Sequence, residues 1–219
     1  MKLSKETLAI FKNYAQINSN LLLKEGNKIS TKAEPATIAS EVIVAEEFPI
    51  EFGIYDLNEF LGALSLFEDP ELEFNEKFVS IKDNSNTIRF YGADASVLST
   101  PKKSIEFPLV DIEFQLSNTT LLTILKTSAI LKASDLSFIG KEGKLYLQVC
   151  DKKVATSNTY ENIIGETDLG FRVNLKIENL KLMHEDYTVS ISSKKIARFA
   201  TKGGNLVYYC AVEQDSEFN

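Results

Sequence analysis

The segment KEGNKI at residues 24–29 returns as KEGKLY at residues 141–146, within a repeat whose lag is roughly 115 to 120 residues. In both copies a polar turn with a glycine enters an apolar segment, which is typical of a turn that leads into a β-strand. Each copy follows apolar residues at helical spacing, around Phe11 in the first and Leu125 in the second. The match predicts the same helix, turn and strand twice in one chain.

Two further matches follow in the same order. Residues 52–54 lead into a predicted helix between Asp56 and Phe67, and residues 171–173 lead into a predicted helix at about 175–183. Each half then ends in a predicted hairpin with a polar turn. We therefore predict a duplicated α+β fold, in which two similar domains each have two helices packed on antiparallel sheets.

The length of 219 residues allows two domains that each bury a core. Residues 94–104 have no strong period and predict a connector. The expected domains are residues 1–104, with the connector from about 94, and residues 105–219. No apolar run approaches the ~20 residues of a membrane-spanning helix, and the polar N-terminus lacks the apolar core of a signal peptide. We therefore expect no membrane partner.

The sequence contains no P-loop, dinucleotide-binding, HExxH or CxxC motif. The single histidine, His184, and the two cysteines, Cys150 and Cys210, do not have the spacing of metal ligands. Both cysteines lie in alternating apolar segments, which predicts small, reduced core residues. We expect no enzymatic activity, no cofactor and no metal ion.

Lysine placement is the remaining signal. The formal net charge of −7 argues against a surface that attracts nucleic acid everywhere, but it allows a local basic face. Lysine is also the ordinary exposed residue of a helix, so the pattern alone first indicates contact with solvent. The predicted helix between Asp56 and Phe67 has no basic residue. Six lysines occupy outward positions of the other three predicted helices: Lys5, Lys12, Lys126, Lys132, Lys176 and Lys181.

Residues 54–66 (IYDLNEFLGALSL), together with residues 1–13 and 16–19, resemble the DNA polymerase sliding clamps of large tailed bacteriophages. The C-terminal residues 211–216 (AVEQDS) are similar to the ending of that family. The resemblance runs the length of the chain, and the first 67 residues carry most of its specificity. It is loose over residues 68–104 and 150–166.

The resemblance implies three chains that close head to tail into a ring, with helices lining a hole for duplex DNA and sheets forming the outer wall. A clamp that slides needs cations near the phosphates and no readout of the bases. The resemblance therefore implies sequence-independent binding of double-stranded DNA, loading by an ATP-dependent clamp loader, and a location in the cytoplasm of the infected bacterial host. The residues expected to face DNA are Lys5, Lys12, Lys126, Lys132, Lys176 and Lys181, with Lys2 as a further candidate.

The resemblance also implies a pocket for the C-terminal peptide of the replicative DNA polymerase, beneath the connector and beside the C-terminal segment of the clamp. Each matching residue has an alternative interpretation as core. The residues that match this pocket are Ile38, Val42, Val97, Leu98, Pro101, Ala211 and Val212.

Two other functions remain open at this point. The first is a viral protein-interaction scaffold that shares the duplicated fold but encircles nothing. The second is an enzyme of unrecognised type, which would need a pocket with converging polar groups. Solution mass separates the clamp from the scaffold, because the clamp requires about three times 24.5 kDa.

Overall fold

The computed structural model describes residues 1–218, and the chain forms two compact units, Met1–Ser104 (unit 1) and Ile105–Asn219 (unit 2). Each unit combines helices with antiparallel sheets, so the predicted α+β class is confirmed. The elements of unit 1 are α1 (Lys5–Ile17), β1 (Leu21–Leu23), β2 (Gly26–Lys32), β3 (Ile38–Phe48), β4 (Phe52–Ile54), α2 (Leu57–Ser65), β5 (Glu71–Phe74), β6 (Phe78–Lys82) and β7 (Thr87–Tyr91), followed by a 3₁₀ turn at Ala95–Val97.

Helix α1 forms where the sequence predicts it. The Ser4 side chain accepts a hydrogen bond from the Thr7 amide at 3.1 Å and caps the N-terminus of the helix. Phe11 and Tyr14 are fully buried, and burying such side chains contributes about 1.5–3 kcal/mol each. The ring of Phe11 lies 6.4 Å from that of Phe60 on α2, so the two helices pack side by side.

Four antiparallel strand pairings complete unit 1. Strand β1 pairs with β4, β2 pairs with β3, and β6 lies between β5 and β7. The hairpin of β6 and β7 closes where Asp83 accepts hydrogen bonds from the amides of Ser85 and Asn86. The predicted hairpin at the end of this half is therefore confirmed.

After a leading strand, unit 2 repeats the order of unit 1 as far as the start of α2, with one α-helix followed by four strands. Its elements are β8 (Ile112–Leu116), α3 (Asn118–Leu131), β9 (Asp135–Lys141), β10 (Lys144–Cys150), β11 (Tyr160–Glu166), β12 (Phe171–Lys176), a 3₁₀ turn at Ile177–Asn179, β13 (Tyr187–Ser192), β14 (Ile196–Thr201), β15 (Leu206–Ala211) and β16 (Glu217–Phe218).

The strands of unit 2 form two groups. Strands β11, β10, β9, β12 and β16 form one antiparallel sheet in that spatial order. In the other group β14 lies between β15 and β13, and β13 also pairs with β8. The glycine of each repeated segment has a positive φ, which is 101° at Gly26 and 77° at Gly143.

The predicted helix at residues 175–183 is wrong. Strand β12 continues to Lys176, and only the single 3₁₀ turn of Ile177–Asn179 follows. In α2 the Asp56 side chain caps the amides of Asn58 and Glu59, whereas Lys176, at the corresponding position, has no oxygen acceptor and makes no capping hydrogen bond. Among residues 105–218, α3 is therefore the one α-helix of unit 2.

Two other elements differ from the predictions. Residues 105–109 read as an alternating strand but have no regular structure. The sequence also predicts a strand at 153–160, but these residues form a loop, and β11 begins only at Tyr160. Alternation is a weak signal in short segments, because a surface loop that covers a sheet edge can show the same pattern. The cysteines are buried as predicted, with Cys150 at the end of β10 and Cys210 on β15.

Candidate nucleic-acid interface

Helix α1 presents two lysines to solvent. Lys5 and Lys12 are exposed on the side of the helix opposite the buried residues Phe11 and Tyr14. Seven residues separate the lysines, and a rise of ~1.5 Å per residue places their Cα atoms about 10 Å apart along the axis. The face carries two cations and no carboxylate between them, because Ala9 and Gln16 complete it.

The N-terminus of α1 binds a carboxylate from β3. Glu46 accepts a hydrogen bond from the Ser4 amide and another from the Thr7 hydroxyl, the latter at 2.5 Å. Partial burial alone raises the pKa of Glu46, but the hydrogen bonds from Thr7 and Ser4 outweigh it, so the pKa lies below its ordinary value. A carboxylate at this end of a helix also interacts favourably with the helix dipole.

Helix α3 presents fewer charges than α1. Lys126 is exposed near the middle of the helix, and Lys132 is exposed as the C-cap with φ 53°. The helical spacing of apolar residues around Leu125 predicts that Leu122 and Ala129 face inward, but both are exposed, while Ile124 is buried. The apolar positions of α3 cover more than one side of the helix, so spacing alone did not identify its buried face.

Helix α2 has an exposed face without charge at its centre. Asn58, Gly62 and Ser65 lie on this face, and Glu59 lies beside it. A Cβ atom added at Gly62 would meet no heavy atom within 4 Å. The structure thus confirms that the lysine-free segment is a helix, and its outer surface is neutral or acidic.

Lys176 is not on a helix and is not free. Its ammonium group forms an ion pair with Asp135, whose side chain is 1 % exposed. The hydrogen bond from Lys176 to this carboxylate raises the lysine pKa. Burial of Asp135 would raise the pKa of that carboxyl, but hydrogen bonds from Lys176, Ser134 and the Lys152 amide outweigh it and lower the pKa. Lys176 therefore stabilises unit 2.

The remaining candidate lysines differ in their surroundings. Lys181 follows the 3₁₀ turn and is half-buried. Lys2 is exposed and forms an ion pair with Asp69, a contact worth little in water. Among residues 1–218, no ion pair involves the following four exposed lysines: Lys5, Lys12, Lys126 and Lys132.

The residues predicted for the partner pocket divide into buried and accessible groups. In unit 1, Ile38 and Val42 are 1 % and 5 % exposed and lie in the core, whereas Val97 is 60 % exposed. Leu98 and Pro101 are half-buried. A Cβ atom on Gly53 would lie 2.3 Å from the Ala93 carbonyl oxygen and 2.9 Å from Leu98, so Gly53 permits the connector to approach β4.

The accessible face of β3 carries a residue that the sequence argument missed. Ile43 is 51 % exposed, and it lies on the opposite side of the strand from Ile38 and Val42. The alternation of the strand contained this information, but it does not say which face is inward. In unit 2, Ala211 is half-buried and Val212 is 4 % exposed.

Within residues 1–218 no cluster of three or more histidine, cysteine, aspartate or glutamate side chains could hold a metal ion. No helix in that part of the chain is long and apolar enough to cross a membrane.

The chain matches two family models that together span most of its length. Residues 4–99 match the model described as DNA polymerase processivity factor, and residues 113–214 match the C-terminal model of the gp45 sliding clamp. A sliding clamp of Vibrio phage KVP40 is 34% identical, with 97% of this chain and 99% of the relative covered. A sliding clamp of Enterobacteria phage T4 is 33% identical, with 99% and 98% covered.

Solved structures show the same fold. The chain is similar to A. fulgidus PCNA, solved with the C-terminal region of FEN-1 bound, with a TM-score of 0.69, 13% identity and 96% of both chains covered. The duplicated clamp fold predicted from the sequence is therefore confirmed. With its full-length similarity to phage relatives, this chain belongs to the sliding clamps that act as processivity factors of phage DNA polymerases.

Proposed function

We propose that three copies of this chain close into a ring around duplex DNA and tether the replicative DNA polymerase. The observation that supports this most directly is the set of exposed lysines without an acidic partner, Lys5 and Lys12 on α1 and Lys126 on α3. A chain with a net charge of −7 that leaves these cations unpaired has a local basic surface. Such a surface can contact the phosphates of DNA without recognising its base sequence.

The charge of the ring explains why the lysines matter. Three chains carry 3 × −7 = −21 formal charges, so most of the outer surface repels DNA. Lysine makes flexible contacts, whereas arginine holds phosphate in a fixed bidentate geometry. Lysines on α1 and α3 therefore attract the backbone weakly enough for the ring to slide.

Edge strands offer the contact between copies. The outer edge of β5 is covered, because the Leu72 amide donates to the Met1 carbonyl and the Met1 nitrogen donates to the Leu72 carbonyl, both at 2.7 Å. At the other edge of that sheet, β7 pairs with β6 alone within residues 1–218, and in unit 2 β11 pairs with β10 alone. Open edges of this kind readily pair with another chain.

We therefore propose that β7 of one copy pairs with β11 of the next. Exposed Arg89 lies on β7, whereas exposed Glu161 and Glu166 lie on β11, so the two edges carry opposite charge. The contact joins different surfaces, as a head-to-tail ring requires. The variant Arg89→Glu should lower the fraction of trimer measured by light scattering, and an unchanged trimer fraction would rule out this pairing.

The ring itself is tested by topology. Protein loaded on closed circular DNA should stay bound in high salt, while protein on linear DNA should slide off the ends. Salt weakens phosphate contacts but does not open a closed ring. Equal retention on the two DNA forms would reject encirclement, and a solution mass of one or two chains would favour the scaffold alternative.

The basic surface is tested by charge reversal. We expect a Lys12→Glu and Lys126→Glu double variant to impair loading and processivity while leaving the trimer intact. A Lys24→Glu and Lys202→Glu double variant makes the same change in net charge at exposed turn residues outside the helices and should behave like the wild type. Equal effects of the two double variants would show that total charge, and not position, matters.

The partners follow from the same proposal. The accessible residues of the connector, Val97, Leu98 and Pro101, would receive the C-terminal peptide of the polymerase. An ATP-dependent loader would open and close the ring, and the reaction would take place in the cytoplasm of the infected host. Removal of the C-terminal peptide from the polymerase should abolish processive synthesis without affecting retention of the ring on circular DNA.

A further inference from the structure

Two asparagines bind the connector to unit 1. The amide nitrogen of the Asn18 side chain donates to the Ser99 carbonyl at 2.6 Å, and the Ser99 amide donates to the side-chain oxygen of Asn20 at 2.9 Å. Both backbone polar groups of one connector residue are therefore held by side chains. This is the hydrogen-bonding pattern that a neighbouring strand would otherwise supply.

The same asparagines are fixed by unit 1 itself. Asn18 is the C-cap of α1, and its side chain also donates to the Lys32 carbonyl at 2.9 Å. The backbone amide of Asn20 donates to the side-chain oxygen of Asn18 at 2.9 Å, and the side-chain amide of Asn20 donates to the Tyr55 carbonyl at 2.7 Å. The pair, which we call the asparagine clasp, thus connects the end of α1 and the start of α2 to Ser99.

Unit 2 provides an internal comparison. In unit 1 the Leu57 amide donates to the Ser19 carbonyl at 2.8 Å. In unit 2 the Ile177 amide donates to the Ser134 carbonyl at 3.0 Å, so the two units have the same backbone hydrogen bond. The residues on either side of Ser134 are Ala133 and Asp135, not asparagines. The asparagines therefore occur only in the unit from which the connector departs, and the repeated backbone does not require them.

We propose that Asn18 and Asn20 are positioning residues that hold connector residues 97–101 in the shape that receives the partner peptide. This rests on the proposed function, because it assigns the connector to that peptide. Pro101 has no amide hydrogen, so it cannot donate a backbone hydrogen bond there. Exposed Val97 and half-buried Leu98 lie directly before Ser99, so the clasp fixes the residues that an apolar peptide would contact.

Hydrogen exchange tests the clasp directly. In Asn20→Ala the Ser99 amide loses its acceptor, and its exchange should become roughly five- to tenfold faster. Asn20→Asp keeps an oxygen that can accept from the Ser99 amide but loses the donor to the Tyr55 carbonyl, so Ser99 should keep more protection than in Asn20→Ala. Asn75→Ala removes an exposed asparagine of unit 1 outside the clasp and should leave Ser99 unchanged. Unchanged exchange in Asn20→Ala would overturn the proposal.

Partner binding separates positioning from general stability. A labelled C-terminal peptide of the replicative polymerase should bind Asn20→Ala about fivefold more weakly, and Asn20→Asp should show a smaller loss. Val79→Ala opens a cavity in β6, where Val79 is fully buried, and lowers stability without touching the clasp. An equal loss of peptide affinity in Val79→Ala would show a merely structural effect and would reject the proposal.

The outcomes for the proposed function and for the clasp are distinguishable. Wild-type protein that stays on circular DNA but does not bind the peptide would refute the partner assignment, and the positioning role with it. Wild-type protein that does both, with Asn20→Ala equal to it in Ser99 exchange and peptide affinity, would refute the clasp alone.

Discussion

The two units share one backbone hydrogen bond, from Leu57 to Ser19 in unit 1 and from Ile177 to Ser134 in unit 2. The side chains next to this bond have different partners in the two units. In unit 1 the residues next to the linked pair are Asn20 and Asp56, and they bind backbone groups of the connector and of α2. In unit 2 the residues next to the linked pair are Asp135 and Lys176, and they form an ion pair with each other. Duplication preserved the fold, whereas the side chains at this junction diverged.

This difference explains why unit 2 has no second α-helix among residues 105–218. Asp56 satisfies two of the free amides at the start of α2. Lys176 cannot accept a hydrogen bond and is directed to Asp135. The chain then makes one 3₁₀ turn, and the proposed lining of the ring has three α-helices per copy instead of four.

The largest loss of stability is expected when the ion pair of unit 2 is broken. Asp135→Ala leaves Lys176 without its partner in a half-buried position, so the free energy of unfolding should fall by about 3 kcal/mol. Asn20→Ala at the matching position of unit 1 removes neutral hydrogen bonds and should cost about 1 kcal/mol. Urea denaturation measures both. Equal losses would show that the two junctions are energetically alike.

A smaller effect is expected at the cap of α2. Asp56→Ala leaves the amides of Asn58 and Glu59 without their acceptor, which should lower the free energy of unfolding by about 1 kcal/mol. Asp56→Ser retains a capping oxygen and should lose much less. Thermal melting followed by circular dichroism distinguishes the two variants. If both melt at the wild-type temperature, the cap does not explain why α2 forms.

The smallest effect concerns the N-terminus of α1 and depends on pH. Because the pKa of Glu46 is lowered in the folded state, its ionised form stabilises the fold above the unfolded pKa. This stability is lost as the pH falls through the folded pKa, where the protonated carboxyl no longer accepts both hydrogen bonds.

Glu46→Gln should therefore be less stable than wild type by about 0.5 kcal/mol at neutral pH, and the difference should vanish in acid. Urea denaturation between neutral and acidic pH measures this change. Glu47→Gln alters the exposed neighbour and should show a weaker pH dependence. A constant difference between Glu46→Gln and wild type at all pH values would contradict the assignment.

The sequence predicted the repeat and three helices because their signals are local. Ser4 and Ser117 each precede a helix and cap it, and the segments at 24–29 and 141–146 both have a glycine with positive φ where a strand begins. The fold class and the clamp family followed from these segments and from the resemblance. Local capping and periodicity were sufficient for this part of the structure.

The candidate site was less predictable because its features depend on distant residues. Lys176 looks like an exposed helix lysine in the sequence, but its partner Asp135 lies 41 positions earlier in the chain. Asn18 and Asn20 bind Ser99 through backbone atoms, and contacts of that kind leave no pattern of residue types. The resemblance points to Ile38 and Val42 for the pocket, and the alternation of β3 does not say which side of the strand is inward, so their burial was visible only in the structure.

The burial of both cysteines has a practical consequence for observing this protein at work. Burial raises the pKa of Cys210 to about 12 and also raises that of Cys150, so almost no reactive thiolate is present at neutral pH. A maleimide dye should therefore not react with the native thiols, but it should modify a thiol introduced by Asn75→Cys on an exposed turn. Fluorescence from a single defined position could then follow a ring on DNA without prior removal of the natural cysteines.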